Sequence, residues 1–273
     1  MARPKVSVVM PAYNAERYVA DAIESILNQT FRDFEFLIID DCSKDGTGKI
    51  IRDYASTDNR IVFIQNERNL KIGKTLNKGI GLARGRYVCR MDADDLSYLD
   101  RLEKQVTFME RNPNVVISGG TMEVCDEEMN VISKRKYNLT DESIRKKLFR
   151  YSPFCHATTI YRREAAIEIG GYNELLPPAE DYDFYFRIGK LGLFGNLPDT
   201  LYKMRVNRSG ASFSNVRRQE YLTLYIRLKA VNEYGYPMGS LNKIYFLAQF
   251  ASMFCIPSRA KYWLFNSIRS ITK

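Results

Sequence analysis

The segment Gly85-Arg86-Tyr87-Val88-Cys89-Arg90-Met91-Asp92-Ala93-Asp94-Asp95 decides how the rest of the chain reads. Tyr87 to Met91 has the makeup of a short buried strand, and it stops at three carboxylates within four positions. Like charges this close repel. Two things can offset them: water at a solvated loop tip, or a divalent cation, for which an all-oxygen donor set suits magnesium or manganese. In extended backbone, side chains alternate, so Asp92 and Asp94 would face one side and Asp95 the other. The place of the cluster favours a ligand, because open α/β sheets bind theirs outside the carboxyl ends of the strands.

Upstream, a strand followed by a helix recurs three times. Residues 5–10 form an apolar strand that breaks at Pro11-Ala12-Tyr13-Asn14, and residues 15–29 carry Val19, Ala22, Ile23, Ile26 and Leu27 at helical spacing. A second buried strand, 34–39, ends in Asp40-Asp41, and Ser43 or Asp45 is placed to cap the helix that follows. A third strand covers 61–65, and a polar turn at 69–73 leads into a helix through Ala83. This alternation calls for an α/β fold with a mostly parallel, Rossmann-like central sheet and helices on both faces. Asp41 and Asp92 then end strands on the same edge of that sheet.

Downstream, residues 98–111 read as a helix, 115–118 as a strand and Gly119-Gly120 as a tight turn. A short, more polar strand pair is expected up to Tyr137, then a helix over 140–150 with a basic outer face. A strand over 157–161 and a helix from about Arg163 to Gly170-Gly171 follow. Glu180-Asp181 opens an aromatic-rich helix reaching 191. A carboxylate against aromatic surface has its proton affinity raised, as a base requires, while helix capping is the plainer role for the same pair. Strands near 194–197 and 202–206 precede a helix over 216–234.

At 273 residues, 45% hydrophobic and 27% charged, the composition suits one large α/β unit with a smaller appendage. Met1 to Lys5 leads straight into the first strand, so no secretory leader is expected. Five scattered cysteines without C-x-x-C spacing suit reduced thiols in a cytoplasmic protein and argue against a zinc site. His156 is the only histidine, which excludes any chemistry needing two. There is no G-x-G-x-x-G after the first strand, no G-x-x-x-x-G-K-[ST] and no G-x-S-x-G. A Rossmann dehydrogenase, a P-loop NTPase and an α/β-hydrolase are therefore disfavoured.

Several motifs in order carry a resemblance: Val6 to Asn14, Gln29-Thr30-Phe31, Ile39 to Thr47, Ala83-Arg84-Gly85, Met91 to Asp95 and Glu180-Asp181. Together they resemble glycosyltransferase family 2 over roughly residues 4–210, each motif alone being far less specific than the set. The resemblance implies a GT-A fold for residues 1–210, with nucleotide-sugar binding over about 1–118 and the acceptor side over about 119–210. It implies an inverting glycosyltransferase that takes a nucleoside-diphosphate sugar, a UDP-sugar, and a glycan or lipid-linked acceptor in cell-surface polysaccharide synthesis. Pro11, Ala12, Tyr13, Asn14 and Asp41 would hold the base, with Lys71 or Lys74 by the base or phosphates. Asp92 would hold the ribose or a metal-bound water, Asp94 with Asp95 the Mn2+ or Mg2+, and Asp181 would be the catalytic base. Glu180, His156, Arg205 and Arg208 fall on the sugar, acceptor or diphosphate side. Where many relatives carry a histidine after the last strand this chain has Asn207, which weakens the case for a third metal ligand. A nucleotidyltransferase or a catalytically inactive nucleotide-sugar-binding protein are the rival readings. The first wants a Gly-rich, lysine-bearing loop where this chain has Pro-Ala-Tyr-Asn, and the second has no need of Asp92, Asp94 and Asp181.

The net charge of +9 belongs to the C-terminal quarter, where residues 202–273 hold 12 Lys and Arg against Glu220 and Glu233. Residues 211–273 read as a basic, amphipathic helical extension. Its apolar stretch, 244–256, is shorter than the ~20 residues a membrane span takes. Flanked by Lys243, Arg259, Lys261, Trp263 and Arg269, it suits a helix lying on an anionic leaflet, the inner face of the plasma membrane. Packing on the catalytic domain or on a second copy in a homo-oligomer is the alternative. No nucleic-acid motif accompanies the charge.

Overall fold

The computed structural model describes residues 3–206 and 216–255. The repeating strand–helix pattern is realised in full: β1 (Val6–Ala12), α1 (Val19–Leu27), β2 (Phe34–Asp40), α2 (Thr47–Thr57), β3 (Ile61–Gln65), α3 (Ile72–Leu82) and β4 (Tyr87–Arg90). Their strands lie side by side, all parallel, in the order β3-β2-β1-β4. Burial on both faces is what a parallel sheet demands, and every residue of β2 is buried. Alternate side chains serve opposite layers: Val8, Met10, Phe36 and Ile38 pack with α1, while Val9, Leu37 and Ile39 pack with α3. From β1 the chain moves to β2 on one side and later to β4 on the other. That reversal opens a crevice at the carboxyl ends of β1 and β4.

Pro11 continues β1 instead of ending it, pairing with Ile39 of β2. The pairing of β1 with β4 stops at Val9 and Arg90, so no neighbour on that side needs the N–H that proline lacks.

The second half follows as β5 (Leu96–Ser97), α4 (Arg101–Arg111), β6 (Val115–Cys125), β7 (Val131–Arg135), α5 (Asp141–Lys147), β8 (Ile160–Arg162), α6 (Arg163–Glu168), α7 (Glu180–Ile188) and β9 (Leu193–Arg205). β8 sits between β4 and β6, antiparallel to both, and β9 lies parallel to β6. Gly119-Gly120 makes no turn. Both glycines lie inside β6, where a Cβ on Gly120 would stand 2.4 Å from Leu201 Cδ1 and one on Gly119 2.9 Å from Asn196 Oδ1. They are small so that β9 can approach. The two short strands expected near 194–197 and 202–206 are one strand, because register shifts between Gly120 and Met122 absorb the irregularity around Pro198. The strand expected over 157–161 begins later, after a 3-10 turn at His156–Thr158.

Two helices close the described chain, α8 (Val216–Asn232) and α9 (Ser240–Cys255). Leu222, Ile226 and Ala230 of α8 join the cluster that holds the aromatic side chains of α7, so this part shares the core of the sheet. Among the described residues no helix is long and apolar enough to cross a membrane. Asn207, Arg208, Arg259, Lys261, Trp263 and Arg269 lie outside the described residues.

Candidate active site

The crevice is shaped first by the loops after β1 and β2. Asn14 adopts a left-handed backbone (φ 50°), a conformation asparagine tolerates better than most residues. Its N–H donates to Ser43 Oγ and its side-chain oxygen accepts from Lys44 N, tying the two loops together. Tyr13 between them keeps 49% of its surface exposed, free to stack on a flat ligand. Asp41 is buried. Its N–H donates to Ala12 O, Oδ1 accepts from Asn66 Nδ2 and Leu70 N at 2.8 Å each, and Oδ2 accepts from Lys71 N at 2.9 Å. The carboxylate thus braces the loop into α3, in which Lys71 has a positive φ of 71°. The ammonium groups of Lys71 and Lys74 sit on exposed side chains, and Lys74 lies 3.8 Å from Glu174.

The carboxyl end of β4 supplies the acidic cluster. Asp92 is gripped at both oxygens by Arg90, at 2.6 and 2.7 Å. Burial works against the Arg90 charge, but the charge and hydrogen bonds of Asp92 outweigh it and hold the guanidinium above its ordinary pKa. Burial, then the charge of Asp92, pushes Asp94 up to about 6. Asp95 is driven well above the carboxylate range by burial and by both neighbours; its Oδ1 accepts from Arg205 N at 2.7 Å. Asp95 therefore faces inward and anchors β9, while the carboxylate of Asp94 is left with like charges beside it. Arg205 was expected to meet a diphosphate, but its guanidinium is committed elsewhere. It donates to Asp94 O and Glu127 O, and lies 4.3 Å from the ring centroid of Tyr18.

The facing wall comes from α7 and the segment before β8. Glu180 and Asp181 occupy the first turn of α7. Burial, with the charge of Asp181 added, raises Glu180 to about 7, and burial raises Asp181 to about 6. Glu180 Oε2 is buried with no partner, as are Tyr185 Oη and Arg90 Nε. His156 Nε2 shares a 2.9 Å hydrogen bond with Tyr172 Oη, and burial, then Arg90, keeps the imidazole well below its usual pKa, so it is neutral. The charge of Arg90 is felt at Asp94, Glu180, Asp181 and His156, which brings the groups of both walls around one cation.

Arg90 escaped the reading of the sequence, where it passed for part of an apolar strand. A charged residue inside a central strand must be paired, and Asp92 two positions on was the available partner. Among the described residues no three His, Cys, Asp or Glu side chains converge to hold a metal. A cation here would draw one or two carboxylates from the chain and its remaining ligands from phosphate, a set that suits magnesium-type sites.

Residues 7–170 match the sequence pattern of Glycosyl transferase family 2. EpsE of Bacillus subtilis, whose name assigns it to the glycosyltransferases, is 39% identical over 206 residues, covering 74% of this chain and 73% of its own. The amylovoran biosynthesis glycosyltransferase AmsE of Erwinia amylovora is 32% identical over 249 residues, covering 88% of this chain and 91% of its own. The structure of S. aureus TarS 1–349 in complex with UDP-GlcNAc superposes with a TM-score of 0.70 at 23% identity, over 91% of this chain and 72% of that one; the shared fold is GT-A. The matched pattern takes in more than half of the residues, and the chain belongs to glycosyl transferase family 2.

Proposed function

We propose that the chain is an inverting glycosyltransferase. It moves a sugar from a nucleoside-diphosphate donor, a UDP-sugar, to a hydroxyl of a glycan or lipid-linked acceptor in the synthesis of a cell-surface polysaccharide. The observation that carries this reading is the placing of two acidic clusters, one at the end of β4 and one in the first turn of α7, around Arg90. One end of the crevice then serves a departing diphosphate and the other an arriving hydroxyl. AmsE supports the polysaccharide class by its name, and TarS supports a UDP-sugar by its bound ligand.

In this scheme Tyr13 and the loop moulded by Asp41 hold the nucleotide. Asp92, oriented by Arg90, meets the ribose. Asp94 would hold Mn2+ or Mg2+, and the cation, when bound, offsets charge on the leaving diphosphate. Asp181 takes the proton of the acceptor hydroxyl as that oxygen attacks the anomeric carbon. The bond to the diphosphate breaks on the opposite face, so the configuration inverts without a covalent intermediate on the protein. A pKa of about 6 suits a base working near neutral pH.

The C-terminal part is proposed to rest on an anionic membrane surface facing the cytoplasm. Leu241, Ile244, Leu247 and Phe254 are exposed on α9, and the surrounding sequence is strongly basic. Apolar burial and attraction to anionic lipid act together there. Co-sedimentation with anionic and neutral vesicles tests this, and equal binding to both would remove it.

The enzymatic proposal is tested by screening nucleotide sugars for thermal stabilisation with and without Mn2+, then assaying hydrolysis and transfer with the best donor. Metal-enhanced stabilisation by one UDP-sugar, with turnover, is the expected result. Stabilisation without any turnover would identify an inactive nucleotide-sugar-binding protein instead.

A further inference from the structure

The helix that carries Asp181 is held from outside the sheet. Tyr182, the next residue, donates its hydroxyl to Leu148 O at 2.5 Å and accepts from Arg227 Nε at 3.1 Å. Arg227 lies on α8 and is only 2% exposed. Its Nη2 donates to Arg150 O at 3.0 Å and its Nη1 to Gln249 Oε1 on α9. The rings of Tyr182 and Tyr245 approach the guanidinium, with centroids 5.8 and 5.6 Å away. All of these hydrogen-bond acceptors are neutral. Among the described residues Arg227 has no acidic partner, and a buried cation served by neutral acceptors is an expensive way to fill a core, because the charge loses its hydration without gaining a counter-ion. Leucine or methionine would pack there at lower cost, but neither could fix three elements at once. Two further ties follow along α7: Tyr234 Oη donates to Asp183 Oδ1 at 2.8 Å, and Tyr236 Oη donates to Phe186 O at 2.9 Å.

We infer that Arg227 is a positioning residue for Asp181, and that through Gln249 it makes the seating of α9 part of the geometry of the catalytic carboxylate. The inference rests on the reading of Asp181 as the base. The groups facing Asp181 are Arg90 from β4, with Glu180, Tyr182 and Tyr185 on its own helix. None of them lies on α8 or α9, so the C-terminal helices reach the carboxylate through the placement of α7, and the tie nearest to Asp181 is the one at Tyr182. The groups proposed to bind the nucleotide, Tyr13, Asp41 and Asp92, follow the ends of β1, β2 and β4, outside this tie.

The test compares the full-length wild type with Arg227→Lys, Arg227→Met, Gln249→Ala and Asp181→Asn, using the donor found by the screen. Arg227→Met should lower kcat by ~10–100-fold, the effect of a misplacement of about 1 Å at the reacting centre, and leave donor affinity unchanged. Its acid limb in kcat should move to lower pH as Asp181 becomes better hydrated. Arg227→Lys keeps the charge but cannot span three acceptors, and should fall between. Gln249→Ala, which removes only the link to α9, should move kcat and the acid limb in the same direction by less. It covers the case in which Arg227→Met fails to fold. Wild-type kcat and pH profile in folded Arg227→Lys and Gln249→Ala, with Asp181→Asn inactive, overturn the inference alone. An Asp181→Asn variant with wild-type transfer overturns the base assignment beneath it.

Discussion

The two walls of the crevice are built on opposite plans. On the nucleotide side, Asp41 has three hydrogen bonds from its own chain and Asp92 is clasped at both oxygens. On the α7 side, Glu180 and Asp181 stand side by side, both raised by burial, with one Glu180 oxygen buried and unpartnered. Recognition needs a fixed shape, and satisfied carboxylates supply it. Proton abstraction needs a carboxylate of raised proton affinity, and burial supplies it at Asp181 even though Oδ1 accepts from Tyr182 N at 2.7 Å. The contrast follows the two proposed roles, nucleotide recognition on one side and proton abstraction on the other.

The sharpest way to break the contrast is Asp181→Asn. Transfer should fall by ~10²–10⁴-fold, since an amide accepts no hydroxyl proton, while donor binding measured by calorimetry stays as it was. The variant should also be more stable than wild type at pH 8 and no more stable at pH 3. An acid with a folded-state pKa raised to about 6 carries no penalty when both states are protonated. The penalty grows as pH rises from the unfolded value and is complete above the folded one. Thermal unfolding at the two pH values checks the sign.

Asp94→Ala comes next. Loss of leaving-group stabilisation worth several kcal/mol corresponds to ~10²–10³-fold in turnover, and the response of donor binding to added Mn2+ should vanish. Normal turnover with Mn2+ in this variant would show that the reaction needs no cation at Asp94.

Glu180→Gln sharpens the account of the other wall. Glu180 and Asp181 titrate as a pair, raised by burial to about 7 and about 6, so the acid limb of kcat belongs to both. Removing the neighbouring charge should move that limb to lower pH. A limb that stays in place would mean that desolvation alone sets it.

Two smaller effects concern the scaffold. At Gly85 a Cβ would stand 2.5 Å from Ser7 N and 2.7 Å from Val6 C, so Gly85→Ala should cost ~1–3 kcal/mol of stability by forcing β1 to shift. Tyr234→Phe should cost about 1 kcal/mol, because Asp183 keeps Arg187 as a partner. Denaturant titration of each reads these losses. In the Tyr234 variant the effect should fall on kcat more than on donor affinity, and the reverse split would contradict the division of labour between the walls.

The β1–β4 side of the crevice was legible in the sequence because its geometry is local. The strand–helix spacing and the apolar runs fixed β1 to β4 within a residue or two, and the strand-end aspartates fell where the motif order placed them. What escaped depends on partners far along the chain. Gly119-Gly120 looked like a turn because nothing near it announces the approach of Asn196 and Leu201. Arg205 looked like a free cation because its acceptors, Asp94 O and Glu127 O, come from elements about 80–110 positions earlier, and backbone carbonyls leave no mark in a sequence. The role of Arg227 was hidden for the same reason: an isolated arginine in a basic helix reads as solvated until the fold buries it.

The three-residue strand β8 is what joins the parallel half of the sheet to the rest, and it is made long after its neighbour. When β4 leaves the ribosome it already has β1 on one side, while the strand for its other side lies about 70 residues further on. At ~5–20 residues per second that edge stays open for several seconds, available to any other extended segment. Natural edges are protected by being short and charged. β4 has only four residues, follows Arg86 and ends on Arg90, two of the features by which an unpaired edge resists recruiting other strands.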